Sequence, residues 1–131
     1  MSVRLSMSAS DITLKKWQDL STELRNYYPT LYSFYCEARC YPKITELYPF
    51  LSVSRLCLSR CTQYPYFVDF IIASTTEGDI ILRKTDGRGG WVESTEVGKH
   101  RPEHGAEVLN KLIPDSYGEA IEGTADEIRK S

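Results

Sequence analysis

From Ser10 onward the apolar residues Leu14, Trp17, Leu20, Leu24 and Tyr28 recur every three or four positions, the period of a helix that buries one face. Ser10 stands where a capping hydroxyl would accept from the first free backbone N–H groups, and Pro29 stops the run. Pro29 and Thr30 then open a second helix over "TLYSFYCEARCY", ended or kinked by Pro42. A short turn through "KITELY" follows, and Pro49 closes this helical half. At Ser52 the period changes to two. Ser54, Leu56 and Leu58 alternate with Val53, Arg55, Cys57 and Ser59, which predicts a first strand. "YFVDFIIAST" and "DIILRKT" are richer in β-branched and aromatic residues and flank the turn signal "TEGD", so they predict a hairpin. "DGRGG" is a further tight turn into "WVESTEV", a fourth strand with Trp91, Glu93 and Thr95 against Val92, Ser94 and Glu96. Pro102 suits a first helical turn, Val108, Leu109, Leu112 and Ile113 supply an apolar stripe, and Pro114 ends the element.

This order predicts an α+β fold of two layers: an antiparallel four-stranded sheet with the N-terminal helices and a C-terminal helix on one face. The expected single domain divides into a flexible arm over 1–9, a helical half over 10–50, strands over 51–98, a helix over 101–114 and a tail over 115–131. The tail mixes glycines with Tyr117, Ala120, Ile121 and Ile128, which predicts an irregular segment or a short final helix with a frayed end.

At 131 residues and 41% apolar, the chain can bury one core without staples. A net charge of −2 removes the bulk attraction that grips phosphate backbones or anionic lipid, so neither nucleic acid nor membrane is an expected partner. The first residues lack the apolar run of about 7–15 residues that a signal peptide needs. No segment reaches the roughly 18 apolar residues of a spanning helix. These features predict a cytoplasmic protein with reduced thiols.

All four cysteines stand in a repeated Cys-x-x-x-Cys, "CEARC" at Cys36 and Cys40 and "CLSRC" at Cys57 and Cys61. On a helix, Cys36 and Cys40 share a face and can meet one metal. On a strand, Cys57 and Cys61 lie roughly 13 Å apart, too far to share a zinc with Zn–S bonds of about 2.3 Å. A site using Cys36, Cys40, Cys57 and Cys61 together therefore needs "CLSRC" to be a turn or helix, and its alternating leucines argue for a strand. The expectation is four reduced, mostly buried thiols, with no metal and no cofactor. A pairing of Cys40 with Cys57 stays open if the second helix lies over that strand.

Other chemical signals are weaker. His100 and His104 are four apart, but Pro102 separates them and leaves His100 before the helix. "GRGG" joins two strands instead of opening a helix, so it reads as a turn and not a phosphate loop. No Gly-x-Ser-x-Gly elbow is present. The stronger signal is aromatic: eight of the nine tyrosines fall between Tyr27 and Tyr66. Tyrosine suits a wet-edged core or a recognition surface, and interleaved arginines add charge-assisted hydrogen bonds. The primary expectation is a non-enzymatic binding or accessory protein whose binding residues are Tyr41, Tyr48, Arg55, Arg60, Tyr64 and Tyr66, with another protein or a small molecule as partner. The first alternative is a small enzyme with Arg60, Asp69, Tyr64 and Tyr66 between helices and sheet. The second is an immunity- or antitoxin-like protein holding a basic partner. A monomer is favoured over a homodimer, because Glu93 and Glu96 would face like charges across a seam formed by the "WVESTEV" edge.

Two resemblances bear on these expectations. The twin Cys-x-x-x-Cys is similar to the small mitochondrial intermembrane-space chaperones, which close two disulfides across a helical hairpin, but the β-rich half after Ser74 departs from them. "ELYPFLSVSRLCLSRCTQYPY" and "GAEVLNKLIPDSYGEAIEGTADEI" resemble a family of uncharacterised bacterial domains, often labelled as natural-product biosynthesis proteins. That family carries a "LYPF-S" segment before an "L-x-FSR-T" strand, and a helix ending in a Leu-Pro pair that runs into Gly-x-Ala-x-x-Gly-Thr-Ala. Here Ile113, Pro114, Gly118, Ala120, Gly123, Thr124 and Ala125 match the second pattern, and the likeness spans about residues 46–128. Ser52 and Val53 stand where the family tends to carry Ser-His. The resemblance implies a bacterial cytosolic accessory protein and no particular reaction.

Overall fold

The computed structural model describes residues 9–87 and 93–129. Helix α1 (Ala9–Tyr27) buries Thr13, Trp17, Leu20 and Leu24. The expected stripe is displaced at one position: Leu14 is 57% exposed and Thr13 takes the inward place. Ser10 lies inside the helix and its hydroxyl donates to the Glu119 carboxylate. Helix α2 (Pro29–Ala38) starts with proline in its first turn, where the missing N–H costs nothing, and buries Leu31, Phe34, Tyr35 and Ala38. A single turn, α3 (Pro42–Thr45), is opened by the next proline and buries Ile44.

The sheet has five strands, not four. β1 (Tyr48–Ser52), β2 (Arg55–Ser59), β3 (Val68–Ser74), β4 (Ile80–Gly87) and β5 (Thr95–His100) follow one another in sequence order, each antiparallel to its neighbour. The extra strand is β1, inside the stretch expected to finish the helical half. Pro49 reads as a stop signal, yet β1 is an edge. Val53 and Ser54, expected within the first strand, are instead the hairpin turn, with φ of 48° and 65°. Positive φ at both central residues is the type I′ geometry that joins two-residue hairpins. Such a turn makes Ser52 and Arg55 a hydrogen-bonded pair, and alternation then places Pro49 opposite Leu58 at a non-bonded site. Its nitrogen faces away from the ladder, so the strand loses no bond.

β3 and β4 form the expected hairpin, closed by Thr75, whose hydroxyl accepts from the N–H groups of Glu77 and Asp79. Gly78 supplies the positive φ of 87° that this turn requires. β5 starts at Thr95 and runs on to His100, so it is shifted toward the C-terminus from the expected "WVESTEV"; Trp91, Val92 and most of the "DGRGG" turn lie outside the described residues.

Alternation sorts the sheet. Leu56, Leu58, Phe70, Ile72, Ile80 and Leu82 join one core with Trp17, Leu24, Phe34, Ile44, Leu47, Leu109 and Ile113. Each large side chain so buried contributes roughly 1.5–3 kcal/mol. Helix α4 (Pro102–Leu112) closes this layer with Ala106 and Leu109. Gly105 is the point of closest approach, since a Cβ there would sit 2.3 Å from Ile80 Cδ1. Lys43 donates to the carbonyl of Ile113 at 2.8 Å and pairs with Asp115 at 3.1 Å, a cation where the helix exposes its last carbonyls.

Beyond α4 the chain forms a 3-10 turn (Asp115–Tyr117) and a short helix α5 (Ala125–Arg129). Between them it pairs with the loop after β2. Ile121 N–H donates to Arg60 O, Thr62 N–H to Ile121 O, Gln63 N–H to Gly123 O and Ala125 N–H to Pro65 O, at 2.8–3.1 Å. The tail, expected as an irregular segment or a short final helix, packs as a clamp with its own small core of Cys61, Phe67 and Ala125. Among the described residues no helix is long and apolar enough to cross a membrane.

Candidate functional site

The loop between β2 and β3 carries most of the polar and aromatic residues singled out in the sequence. It is tied at its base by Ser59. That buried hydroxyl accepts from the N–H groups of Cys61 and Phe67, at 3.1 and 3.2 Å, and donates to Cys61 O at 2.9 Å. The backbone N–H of Arg60 donates to Phe67 O at 2.9 Å, closing the loop, and the clamp bonds Thr62 N–H, Gln63 N–H and Pro65 O from the other side. The two stretches that carried the family resemblance are therefore packed on each other.

At one side of the loop stands an arginine held by a carboxylate and two rings. Arg60 Nε and Nη2 donate to the two carboxylate oxygens of Asp69 at 2.8 and 2.9 Å. The guanidinium carbon lies 4.2 Å from the ring centroids of both Phe67 and Tyr117. A bulge in β3 accompanies the pairing: Val68 and Phe70 lie opposite the adjacent Ser59 and Leu58, and Asp69 is the extra residue between them. Burial pushes the Asp69 carboxyl above the usual carboxylate range; the Arg60 hydrogen bonds and charge offset this only in part. Tyr117, whose hydroxyl donates to Asp69 Oδ1 at a long 3.4 Å, is raised by burial and then by the Asp69 charge. A cleft of about 170 Å3 opens beside it, lined by Arg60, Tyr117, Glu119, Ile121 and Ile128. Sequence reasoning grouped Arg60 with Asp69 but missed Phe67 and Tyr117. The only available signal for Tyr117 was its place between the helix-ending Pro114 and the small-residue pattern after it.

The other side of the loop is a stack of rings. Tyr66 lies nearly parallel to Phe50 at 4.2 Å and to Tyr48 at 5.9 Å. Tyr64 meets Tyr66 edge to face at 6.0 Å and is 81% exposed. Phe50 and Tyr48 alternate on the sheet face away from the main core, and Phe50 pairs with Cys57. Burial raises the phenols of Tyr48 and Tyr66. Of the sequence-derived binding residues, the fold brings Tyr48, Tyr64 and Tyr66 together. Arg60 faces Asp69 and the clamp. Tyr41 packs against the helical core, and Arg55 begins β2 at the hairpin. Tyr64 and Tyr66 likewise do not join the Arg60–Asp69 pair, so the four residues of the enzyme alternative separate into two groups.

The cysteines divide along the elements beneath them. Cys57 lies on a strand with Leu56 and Leu58 on the other face, as the alternation requires, and all four thiols are free. Burial pushes the Cys57 thiol up to about 11, with Arg55 pulling the other way. Cys61 is fully buried, and its sulfur accepts from Phe67 N–H at 3.2 Å. Cys36 is half-buried against the main core beside Tyr32, while Cys40 is exposed. His100 ends β5 and meets His104 of α4 edge to face at 5.3 Å. Among the described residues no group of three or more His, Cys, Asp or Glu is placed to hold a metal.

No curated protein and no solved structure matches the chain. One family model does, over residues 11–124, which takes in α1, the whole sheet, α4 and the clamp as far as Thr124. By that match the chain belongs to a family of unknown function (DUF6193).

Proposed function

We propose that this protein is a non-enzymatic accessory module that binds another protein through the ring stack of Tyr48, Phe50, Tyr64 and Tyr66. The observation that carries the reading is Tyr64. Its ring is 81% exposed and, among the described residues, meets only the edge of Tyr66 as a ring contact and joins neither core cluster. Tyr66 and Phe50 behind it form a packed base, and the clamp holds the loop by four backbone hydrogen bonds. A rigid loop presenting large amphipathic rings loses little conformational freedom on binding, which is why tyrosines anchor interfaces. Arg60 and Asp69 are closed on each other, and that weighs against the enzyme alternative, whose acid and cation they would be. The likeness to bacterial domains labelled for natural-product biosynthesis fits an accessory role of this kind.

The test is site-specific crosslinking in extract of the native cell. A photoreactive phenylalanine at position 64 is expected to give a discrete protein adduct that is absent when the same group replaces Tyr27, a control that is also exposed. Tyr66→Ala should abolish the adduct. Equal labelling at both positions, or a position-64 adduct that survives Tyr66→Ala, would overturn the reading.

A further inference from the structure

Away from the ring stack, the three N-terminal helices surround a groove of about 410 Å3 lined by Leu14, Trp17, Gln18, Tyr35, Arg39 and Thr45. That volume falls in the range of small-molecule sites. Its floor is the Trp17–Tyr35 pair, stacked at 5.7 Å and 20°. The indole N–H is already committed to Leu47 O at 3.0 Å, so the floor offers ring carbon. One wall is Leu14, the side chain that the α1 period assigned to the core and that stands 57% exposed instead.

The polar groups are all able to donate. Arg39 holds its guanidinium 5.4 Å over the Tyr35 ring and, among the described residues, has no carboxylate partner. The Gln18 side-chain amide makes no hydrogen bond among the described residues. The Thr45 hydroxyl reaches Pro42 O only at 3.4 Å. Among the described residues no acid lines the groove. A single cation with two neutral donors matches one carboxylate, which a guanidinium fork binds with two parallel hydrogen bonds. A phosphate dianion would need a second cation, and an amine would meet Arg39 as a like charge. Aromatic floor and leucine wall select a flat apolar body behind the acid group.

From this arrangement we infer that the groove is a binding site for a small aryl carboxylate, its acid group on Arg39, Gln18 and Thr45 and its ring between Leu14 and the Trp17–Tyr35 pair. The site is separate from the ring stack and does not depend on that reading.

The full chain is titrated with 2-naphthoate and with its neutral counterpart 2-naphthalenemethanol, followed by amide and indole proton–nitrogen correlation spectra. A Trp91→Phe background leaves Trp17 as the only indole, since the chain has two tryptophans. The expected result is a saturable shift of the Trp17 indole signal by the acid, with the alcohol bound at least roughly tenfold more weakly, the worth of a charge-assisted hydrogen bond. Arg39→Gln should weaken the acid by the same factor, leave the alcohol unchanged and leave the melting temperature unchanged. Tyr64→Ala should leave both titrations unaltered. The inference is overturned if the acid does not bind up to its solubility, if it binds no better than the alcohol, if Arg39→Gln has no effect, or if shifts centre on Arg60 instead of Trp17.

Discussion

Arg60 and Arg39 both place a guanidinium over a tyrosine ring, but their surroundings differ in every other respect. Arg60 is gripped by two rings and a carboxylate whose side chain is only 3% exposed. Arg39 lies over one ring at a groove that no acid lines among the described residues. The same residue types therefore close a fold in one place and leave a donor facing solvent in the other. What separates them is the carboxylate. A buried acid must be paired, so Asp69 fixes Arg60, and through it Tyr117 and the clamp.

The largest expected effect follows from that contrast. Arg60→Ala leaves the Asp69 carboxylate buried and unpaired, and should cost about 3–5 kcal/mol of unfolding free energy at neutral pH. Arg39→Ala, on an exposed side chain, should stay within about 0.5 kcal/mol. Denaturant melts of the two variants compare them directly, and similar losses would erase the distinction. Asp69→Asn should cost less than Arg60→Ala, about 1–2 kcal/mol. It leaves behind an arginine whose side chain is 29% exposed and still covered by rings, instead of a buried carboxylate without its cation.

The pH dependence has an unusual sign. A carboxyl paired with arginine ordinarily has its pKa lowered, but burial raises that of Asp69. Its stabilising contribution is then fully present below the unfolded value of about 3.9 and is lost as pH rises through the higher folded value. Removing Arg60 deletes two influences that lower it, so the folded pKa climbs further. The Arg60→Ala penalty is expected to be greatest at neutral pH and to shrink on acidification toward pH 4. A penalty that stays constant or grows on acidification would mean that Arg60 does not stabilise the Asp69 charge.

Much of this contrast was out of reach of the sequence, and for definite reasons. The stripes of α1 and α4 and the hairpin around "TEGD" were legible because each rests on local period and turn chemistry. Arg60 and Asp69 could be grouped, but their contact depends on a bulge that no pattern announces. Tyr117 arrives from 57 positions downstream of Arg60 by way of a clamp whose bonds are mostly backbone. Leu14 fits the helical period, and only the way α1 sits beside α2 and α3 turned it outward. Pro49 and Val53 misled in opposite directions. Proline is a stop signal except on an edge strand, and β-branched valine is a strand signal that here occupies a left-handed turn.

That turn supplies the smallest prediction and a calibration for the larger ones. Val53 is 85% exposed and Val53 and Ser54 both have positive φ, a conformation that costs a non-glycine residue roughly 1–2 kcal/mol. The pair Val53→Asn with Ser54→Gly places the preferred type I′ residues in the turn and should raise stability by about 1 kcal/mol. The gain is below the full strain because glycine also loses more freedom on folding. The turn and Arg60 flank opposite ends of β2, about 20 Å apart along the strand, beyond the range at which effects couple. The gain should therefore appear undiminished, within about 0.5 kcal/mol, in wild type, in Arg39→Ala and in Arg60→Ala alike. A gain that vanishes only in Arg60→Ala would show that losing the arginine loosens β2 along its whole length, and that its cost is not confined to one stranded carboxylate.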